Sequence, residues 1–340
     1  MARRRWFDGH LDLAYLAARG RDMTKGLGEC GGDQLPAAVT FPAMAAGGVR
    51  GALGTIFVQK RVREEEAKRR GVEVCDGPWS YDTREEAHEA GVRQLEWYRE
   101  TRNTKRETRN GGQDLPHIVL MIEGAACLRG VEDFREFYEA GVRVVSLTWA
   151  EGSQWAGGDQ SGGGITPAGW QLVAELDRRG VIHDVSHLSE QAFWELMEGG
   201  KNLKVATHSN PRALLPGKQH PERHLSDAQI RALVAQGGVI GVVLFQKFLV
   251  SPPTGQRATI ADVLRHIAYF EDVAGRRDFL ALGSDMDGGF DATLLPEGLD
   301  SAEKVDALGD ALAGAGWSDE EIERFAWGNW ARVLGIENEK

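Results

Sequence analysis

Val181-Ile182-His183-Asp184-Val185-Ser186-His187, followed by Lys204-Val205-Ala206-Thr207-His208, is the stretch on which the fold turns. Each run is short, largely apolar and ends in a histidine. Between them, Ser189 begins a helical pattern that carries Phe193 and Leu196 on one face. A strand, a helix and a second strand in that order predict two neighbouring parallel strands, with His187 and His208 side by side at equivalent ends.

Working outward, eight such runs occur, at 5–10, 51–59, 117–123, 142–149, 181–187, 204–208, 238–245 and 279–285. Most are nearly continuous in Val, Ile and Leu, as parallel strands buried on both faces require. Helical patterns separate them. One spans 83–102. Thr166 caps another, with Pro167 in its first turn, and Ser226 caps a third holding Ile230, Leu233 and Val234. Further helices are expected over 259–274, 301–313 and 318–334. Polar stretches at 61–82, 103–115 and 152–164 read as long loops, the last lying over the strand ends because it follows a strand directly. Alternation of this kind with eight strands predicts an α/β fold, a (β/α)8 TIM-like barrel of the metal-dependent hydrolase type. No linker or repeat divides the chain, so residues 1–340 are expected to form a single barrel domain.

In such a barrel the chemistry sits at the C-terminal ends of the strands. His10 and Asp12 end the first run, Glu123 the third, His187 the fifth, His208 the sixth and Asp285 the eighth. Histidines and carboxylates converging on one mouth suit a hydrolytic metal site. His10 and Asp12 are two apart, so an extended chain puts both on one side as a pincer. His187 and His208 form a second pair. Glu123 ends a strongly apolar strand, where an unpaired carboxylate would be costly, and it is placed to bridge two cations. Asp285 fits a general base beside activated water, while Asp287 reads as structural. Taken alone, a His-x-Asp or a single strand-end histidine signals little. The weight lies in the coincidence.

The totals narrow the remaining choices. Acidic residues number 51 against 40 basic ones, a formal net charge of -11, which argues against a nucleic-acid partner. Hydrophobic residues make up 42%, enough for a large core, and no apolar run reaches the length of a membrane span. Cys30, Cys75 and Cys127 are scattered and odd in number, which fits a reducing, cytoplasmic compartment. Arg3, Arg4 and Arg5 are expected to be a solvated terminus and not a secretory signal. Nothing forbids a homodimer.

Six stretches together resemble the renal (membrane) dipeptidase family of binuclear zinc metallopeptidases, whose barrel is amidohydrolase-like. They are Asp8-Gly9-His10-Leu11-Asp12-Leu13, Ile122-Glu123-Gly124, Asp184-Val185-Ser186-His187, Thr207-His208-Ser209-Asn210, Arg223-His224-Leu225-Ser226-Asp227 and Gly283-Ser284-Asp285-Met286-Asp287-Gly288. The resemblance covers nearly the whole chain in order. It implies two Zn2+ ions, one held by His10 and Asp12, the other by His187 and His208, with Glu123 between them. It implies that Asp285 carries the proton of the attacking water to the leaving amine, and that Arg223 reads the free carboxylate of a small dipeptide substrate, including one with a C-terminal D-residue. The chain also departs from the family pattern. Trp149 stands where many members have a substrate-contacting His, His224 where Asn is common, and Phe245 where some have Tyr. His183 replaces a usual aliphatic residue. Trp149 is expected to wall the substrate pocket. Trp149 and the loop 152–164 motivate an alternative, an amidohydrolase-like enzyme acting on a cyclic amide, lactone or acylated amino acid. A non-catalytic, metal-containing binding protein is a third reading, against which the retention of Asp285 argues.

Overall fold

The computed structural model describes residues 3–70, 74–107, 115–215, 217, 220–250 and 257–336. Parts of two expected loops, 71–73 and 108–114, lie outside the described residues, as do Met1, Ala2 and residues 337–340. The eight barrel strands are β1 (Trp6–Leu11), β2 (Val49–Phe57), β3 (His117–Glu123), β4 (Val142–Ser146), β5 (Ile182–Asp184), β6 (Lys204–Val205), β7 (Ile240–Val242) and β8 (Leu280–Leu282). All pair in parallel. β1 to β6 form one continuous sheet in chain order, and β7 pairs with β8. The bridge Ala206–Ile240 joins β6 to β7. Between β8 and β1 the seam is closed by one backbone bond, Asp285 N–H to the His10 carbonyl (3.2 Å), and by a side chain. The buried Asp8 carboxylate accepts from Ser284 N (2.8 Å), from the Ser284 hydroxyl and from His10 N (3.1 Å).

The barrel has a packed floor. Phe7, Leu53, Met121, Val144, Ile182, Val205, Val239 and Ala281 come one from, or from just before, each strand, and they form a single cluster with Trp327, Trp330 and Ala331. Trp330 Nε1 donates to the Leu282 carbonyl and Asn329 Nδ2 to the Leu280 carbonyl, both at 2.8 Å, so the C-terminal helix (Asn329–Leu334) plugs the N-terminal end of the barrel. Gly9 is needed there, because a Cβ would strike the Trp330 indole. Outside the strands, helices such as Pro167–Arg178, Glu190–Gly199 and Asp227–Ala235 bury Leu172, Leu176, Phe193, Leu196, Ile230 and Leu233 against the sheet. Their caps are those the sequence indicates: Thr166 accepts from Gly169 N, Ser189 from Ala192 N, and Ser226 forms a capping box with Gln229.

Several expectations need correction. The strands β4 to β8 stop short of their apolar runs, because the chain leaves the ladder as it reaches the mouth. The expected loop 61–82 contains a helix (Glu64–Arg70) and ends in a short strand (Ser80–Tyr81) paired with Gln59–Lys60. That helix has a single apolar residue, Ala67, and so no periodicity; its acidic start and basic finish suit the helix dipole instead. The helix beginning at Arg84 runs on to Glu107, into what reads as loop. Short helices Leu13–Ala18, Phe41–Gly47 and Phe134–Glu139 also escape the sequence reading. Arg4 and Arg5 are not simply solvated. Arg4 pairs with Asp306 (3.2 Å) and Asp310 (2.8 Å), and the Arg5 guanidinium lies 4.0 Å from the Trp327 ring centroid.

His183 does not reach the mouth. Its Nε2 lies 2.9 Å from Asp177 Oδ1, tying β5 to the helix beside it. Burial alone would raise the Asp177 carboxyl, but the hydrogen bonds from His183, Lys201 N and Asn202 N prevail and hold it at about 2. Because the folded value lies below the ordinary 3.8, the stabilisation is complete above pH 3.8 and drains away as the pH falls through about 2. Asp177→Asn should therefore flatten the acid limb of a urea-midpoint profile over that window. A variant whose midpoint falls with acid as steeply as wild type would show that this tie does not contribute.

Candidate metal centre

The mouth is assembled from the ends of the strands. β1 shifts register between Asp8 and Leu11, a bulge of the kind that re-aims side chains, and it delivers His10 and Asp12. On β3, Met121 belongs to the floor, so Glu123, two residues on, faces inward one layer higher. After β5 and β8 the chain turns through left-handed backbone at His187 (φ 67°) and Asp285 (φ 58°). Such conformations cost about 1–3 kcal/mol each and gather at functional sites.

These turns bring all six expected residues together. His10 Nε2 lies 3.4 Å from Glu123 Oε2 and 3.8 Å from Asp12 Oδ1. On the other oxygen, Glu123 Oε1 lies 3.3 Å from His187 Nε2 and 3.5 Å from His208 Nε2, and those two nitrogens face each other at 3.2 Å. Ligand atoms of His10, Asp12 and Asp285 also lie within 4.8 Å of one another. The Glu123 carboxylate thus divides its oxygens between two imidazole-bearing halves.

A ring of neutral and acidic partners holds the cluster from behind, and sequence reasoning did not single it out. The Thr55 hydroxyl donates to Asp12. Asp159, from the glycine-rich loop, lies 2.8 Å from His187 Nδ1. Thr207 Oγ1 lies 2.9 Å from His208 Nδ1 and 3.3 Å from His10 Nδ1. Asp184 accepts from the Thr207 hydroxyl (2.8 Å) and Thr207 N (2.9 Å). Only Thr207 and Asp184 carry a signal in sequence, through their places in histidine-ended runs. Asp159 sits in an irregular loop with no spacing to betray it.

The electrostatics favour a cation. Burial disfavours charge on His10, yet nearby Glu123, Asp12 and Asp285 push its pKa up to about 10. Burial and the Glu123 charge raise Asp12 to about 6. Asp285, partly open to the mouth, is raised well above the carboxylate range by burial, with Asp12 and Glu123 adding to the effect. Glu123, which burial alone would raise, is driven low by the imidazoles. His208 is pushed well below its ordinary value by burial and then by His10, Arg223 and His187. His10 Nε2 is buried without a hydrogen-bond partner among the described residues. Three carboxylates, three imidazoles and an orphaned ring nitrogen fit divalent ions with nitrogen and oxygen preference.

Above the cluster lies a cavity of about 410 Å³ lined by Asp12, Glu123, His187, His208, Asp285 and Arg223, with Trp149 and Phe245 as walls. The Trp149 ring stands between Phe57 (centroids 5.5 Å) and His187 (5.8 Å). Gly152 and Gln160 also line it, so the loop 152–164 covers the mouth as its position in the chain implies. Arg223 is buried; Nη2 donates to the His208 carbonyl (2.8 Å) and Nη1 to Ser209 Oγ (3.3 Å), while Nε has no partner among the described residues. Gly288 must lack a side chain, since a Cβ there would collide with the Asp285 carboxylate. His224 packs edge-on to Phe248. Asp287 forms a buried pair with Arg21 and accepts from Ala38 N (2.9 Å) and Val39 N (3.0 Å), a structural role.

A barrel with this His/carboxylate mouth defines a metallohydrolase. A family profile described as membrane dipeptidase (peptidase family M19) matches residues 1–340, and the chain belongs to that family. It is therefore a metallopeptidase of the dipeptidase class. A Klebsiella pneumoniae protein described as "uncharacterized protein in pqqA 5'region" is 34% identical over 227 residues, covering 64% of this chain and 80% of its own length. A Schizosaccharomyces pombe protein described as "uncharacterized dipeptidase C3A11.10c" is 30% identical over 224 residues, 64% of this chain but 53% of its own. The fold matches that of a Rhodobacter sphaeroides metallo peptidase solved with a phosphinate mimic of the dipeptide L-Ala-D-Ala (TM-score 0.80, 24% identity, 98% and 99% coverage of the two chains). No helix among the described residues is long and apolar enough to cross a membrane.

A cation bound only by the folded chain adds stability by mass action, about 2.7 kcal/mol at one hundred times its Kd. Chelator-treated protein should melt lower than replete protein, and adding Zn2+ back should restore the midpoint. Identical melting curves would show that the cluster takes no ion.

Proposed function

We propose that the chain is a zinc-dependent dipeptidase with two ions at the mouth, and that it hydrolyses small dipeptides with free ends. The observation carrying this reading is the division of Glu123, one oxygen toward His10 and Asp12 and the other toward His187 and His208. His10 and Asp12 would hold one ion, His187 and His208 the other, and Glu123 both. When bound, the ions supply Lewis acidity toward the scissile carbonyl and toward water. A C-terminal D-residue lies within the proposal, because the Rhodobacter relative was solved with a mimic of L-Ala-D-Ala.

The chain's own groups do the rest. Arg223, buried and with Nε unpartnered, offers a guanidinium to the dipeptide's terminal carboxylate. Asp285 has a raised pKa and faces the cavity, so it can take the proton of the attacking water and return it to the amine that leaves. Trp149 narrows the pocket and excludes solvent but brings no titratable nitrogen. We also read residues 1–340 as one barrel domain working in the cytoplasm; the three free, buried cysteines agree with that compartment.

Arg223→Met should cost a free-acid dipeptide about 2–5 kcal/mol of binding and its C-terminal amide much less. Equal losses would remove Arg223 from carboxylate recognition and favour a cyclic amide, lactone or acylated amino acid as substrate.

Asp285→Asn keeps the shape of the side chain and removes its basicity. Turnover should drop by about 10²-fold or more with metal content unchanged. Near-normal turnover would place the proton-handling group elsewhere.

A further inference from the structure

Thr207 lies at the end of β6, yet its hydroxyl meets ring nitrogens of both halves of the cluster, His208 beside it and His10 on β1, which does not neighbour β6 in the barrel. The two rings meet at a tilt of 36°, with centroids 3.8 Å apart. A threonine hydroxyl has one proton to donate and two lone pairs to accept with. Its proton is committed. Asp184 Oδ2 receives it at 2.8 Å, while Asp184 Oδ1 takes Thr207 N (2.9 Å), Ser186 N (3.1 Å) and the Ser186 hydroxyl (2.8 Å). A carboxylate that collects four donors is an acceptor, so the direction of the Thr207 bond is set. Only the lone pairs remain for the imidazoles.

From this geometry we infer that Thr207, oriented by Asp184, is a positioning residue that holds His10 and His208 as Nδ1–H tautomers and so aims both Nε2 lone pairs at the metal sites. One hydroxyl thereby couples the two half-sites. His187 is served separately, by Asp159. Partners behind a ligating histidine fix its tautomer and ring orientation, and losing one lowers metal affinity by about 10–100-fold. The inference rests on His10 and His208 being Nε2 ligands, as proposed above. Its particular content is that one side chain acts on both ions.

The test compares wild type with Thr207→Val, which removes the hydroxyl at constant shape, and Thr207→Ser, which keeps it. Thr207→Ala stands in if the valine variant does not fold. Competition with a chromogenic chelator should show both Zn2+ equivalents weakened about 10–100-fold in Thr207→Val and near wild type in Thr207→Ser. In Asp159→Asn, one equivalent should weaken and the other hold. In zinc-loaded protein labelled with 15N-histidine, His10 and His208 should each show a protected Nδ1–H resonance in wild type and Thr207→Ser, and lose that protection in Thr207→Val. A zinc-loaded wild type lacking either resonance, or a Thr207→Val chain that weakens one equivalent or none, would overturn the clamp while leaving the metal-site reading standing. Wild-type protein that takes up no Zn2+ overturns both.

Discussion

The rest of the molecule is organised around one carboxylate. Glu123 ends an apolar strand directly above a floor of packed side chains, where it is almost wholly buried. An uncompensated charge in such a place costs several kcal/mol. The neighbours that answer it are three imidazoles, which must arrive from β1, β5 and β6. To deliver them the chain accepts a bulge in β1 and a left-handed residue at His187. Those distortions need their own support, and they receive it from Asp8, Asp184, Asp159 and Thr207. Each layer of this construction exists because the one inside it is buried.

The two ends of the barrel follow from the same division. The floor is one continuous apolar layer with an indole driven into it, and it tolerates little change in volume. The mouth is built from turns and a glycine-rich loop, and side-chain bonds from Thr55, Asp159 and Thr207 hold its histidines and carboxylates in place. Rigidity below lets the ring of charges above keep its spacing. The cavity between Trp149, Phe245 and Arg223 is where that spacing meets a ligand.

What could be read from sequence was whatever burial writes into composition. Most of the eight strands lie in runs of Val, Ile and Leu, and five of the eight runs end in His, Asp or Glu, so both the architecture and the convergence at the mouth were legible. The strand ends were not, because φ values at His187 and Asp285 depend on tertiary fit and not on local preference. The helix Glu64–Arg70 was hidden by having a single apolar residue, and Arg4 looked solvated because its partners Asp306 and Asp310 lie at the far end of the chain. Asp159 and Thr55 touch the cluster only through folding, and no spacing announces them. His183, on a strand that ends in a ligand histidine, is a buried hydrogen-bonding residue turned toward Asp177 and away from the mouth.

The bonds of Arg4 to Asp306 and Asp310, with Trp330 set into the barrel floor, place the first and last described segments together on the face opposite the mouth. An anchor, tag or resin attached at either segment would therefore leave the cavity turned outward into solution. Coupling on that face keeps a linker clear of the cavity that Trp149, Phe245 and Arg223 line.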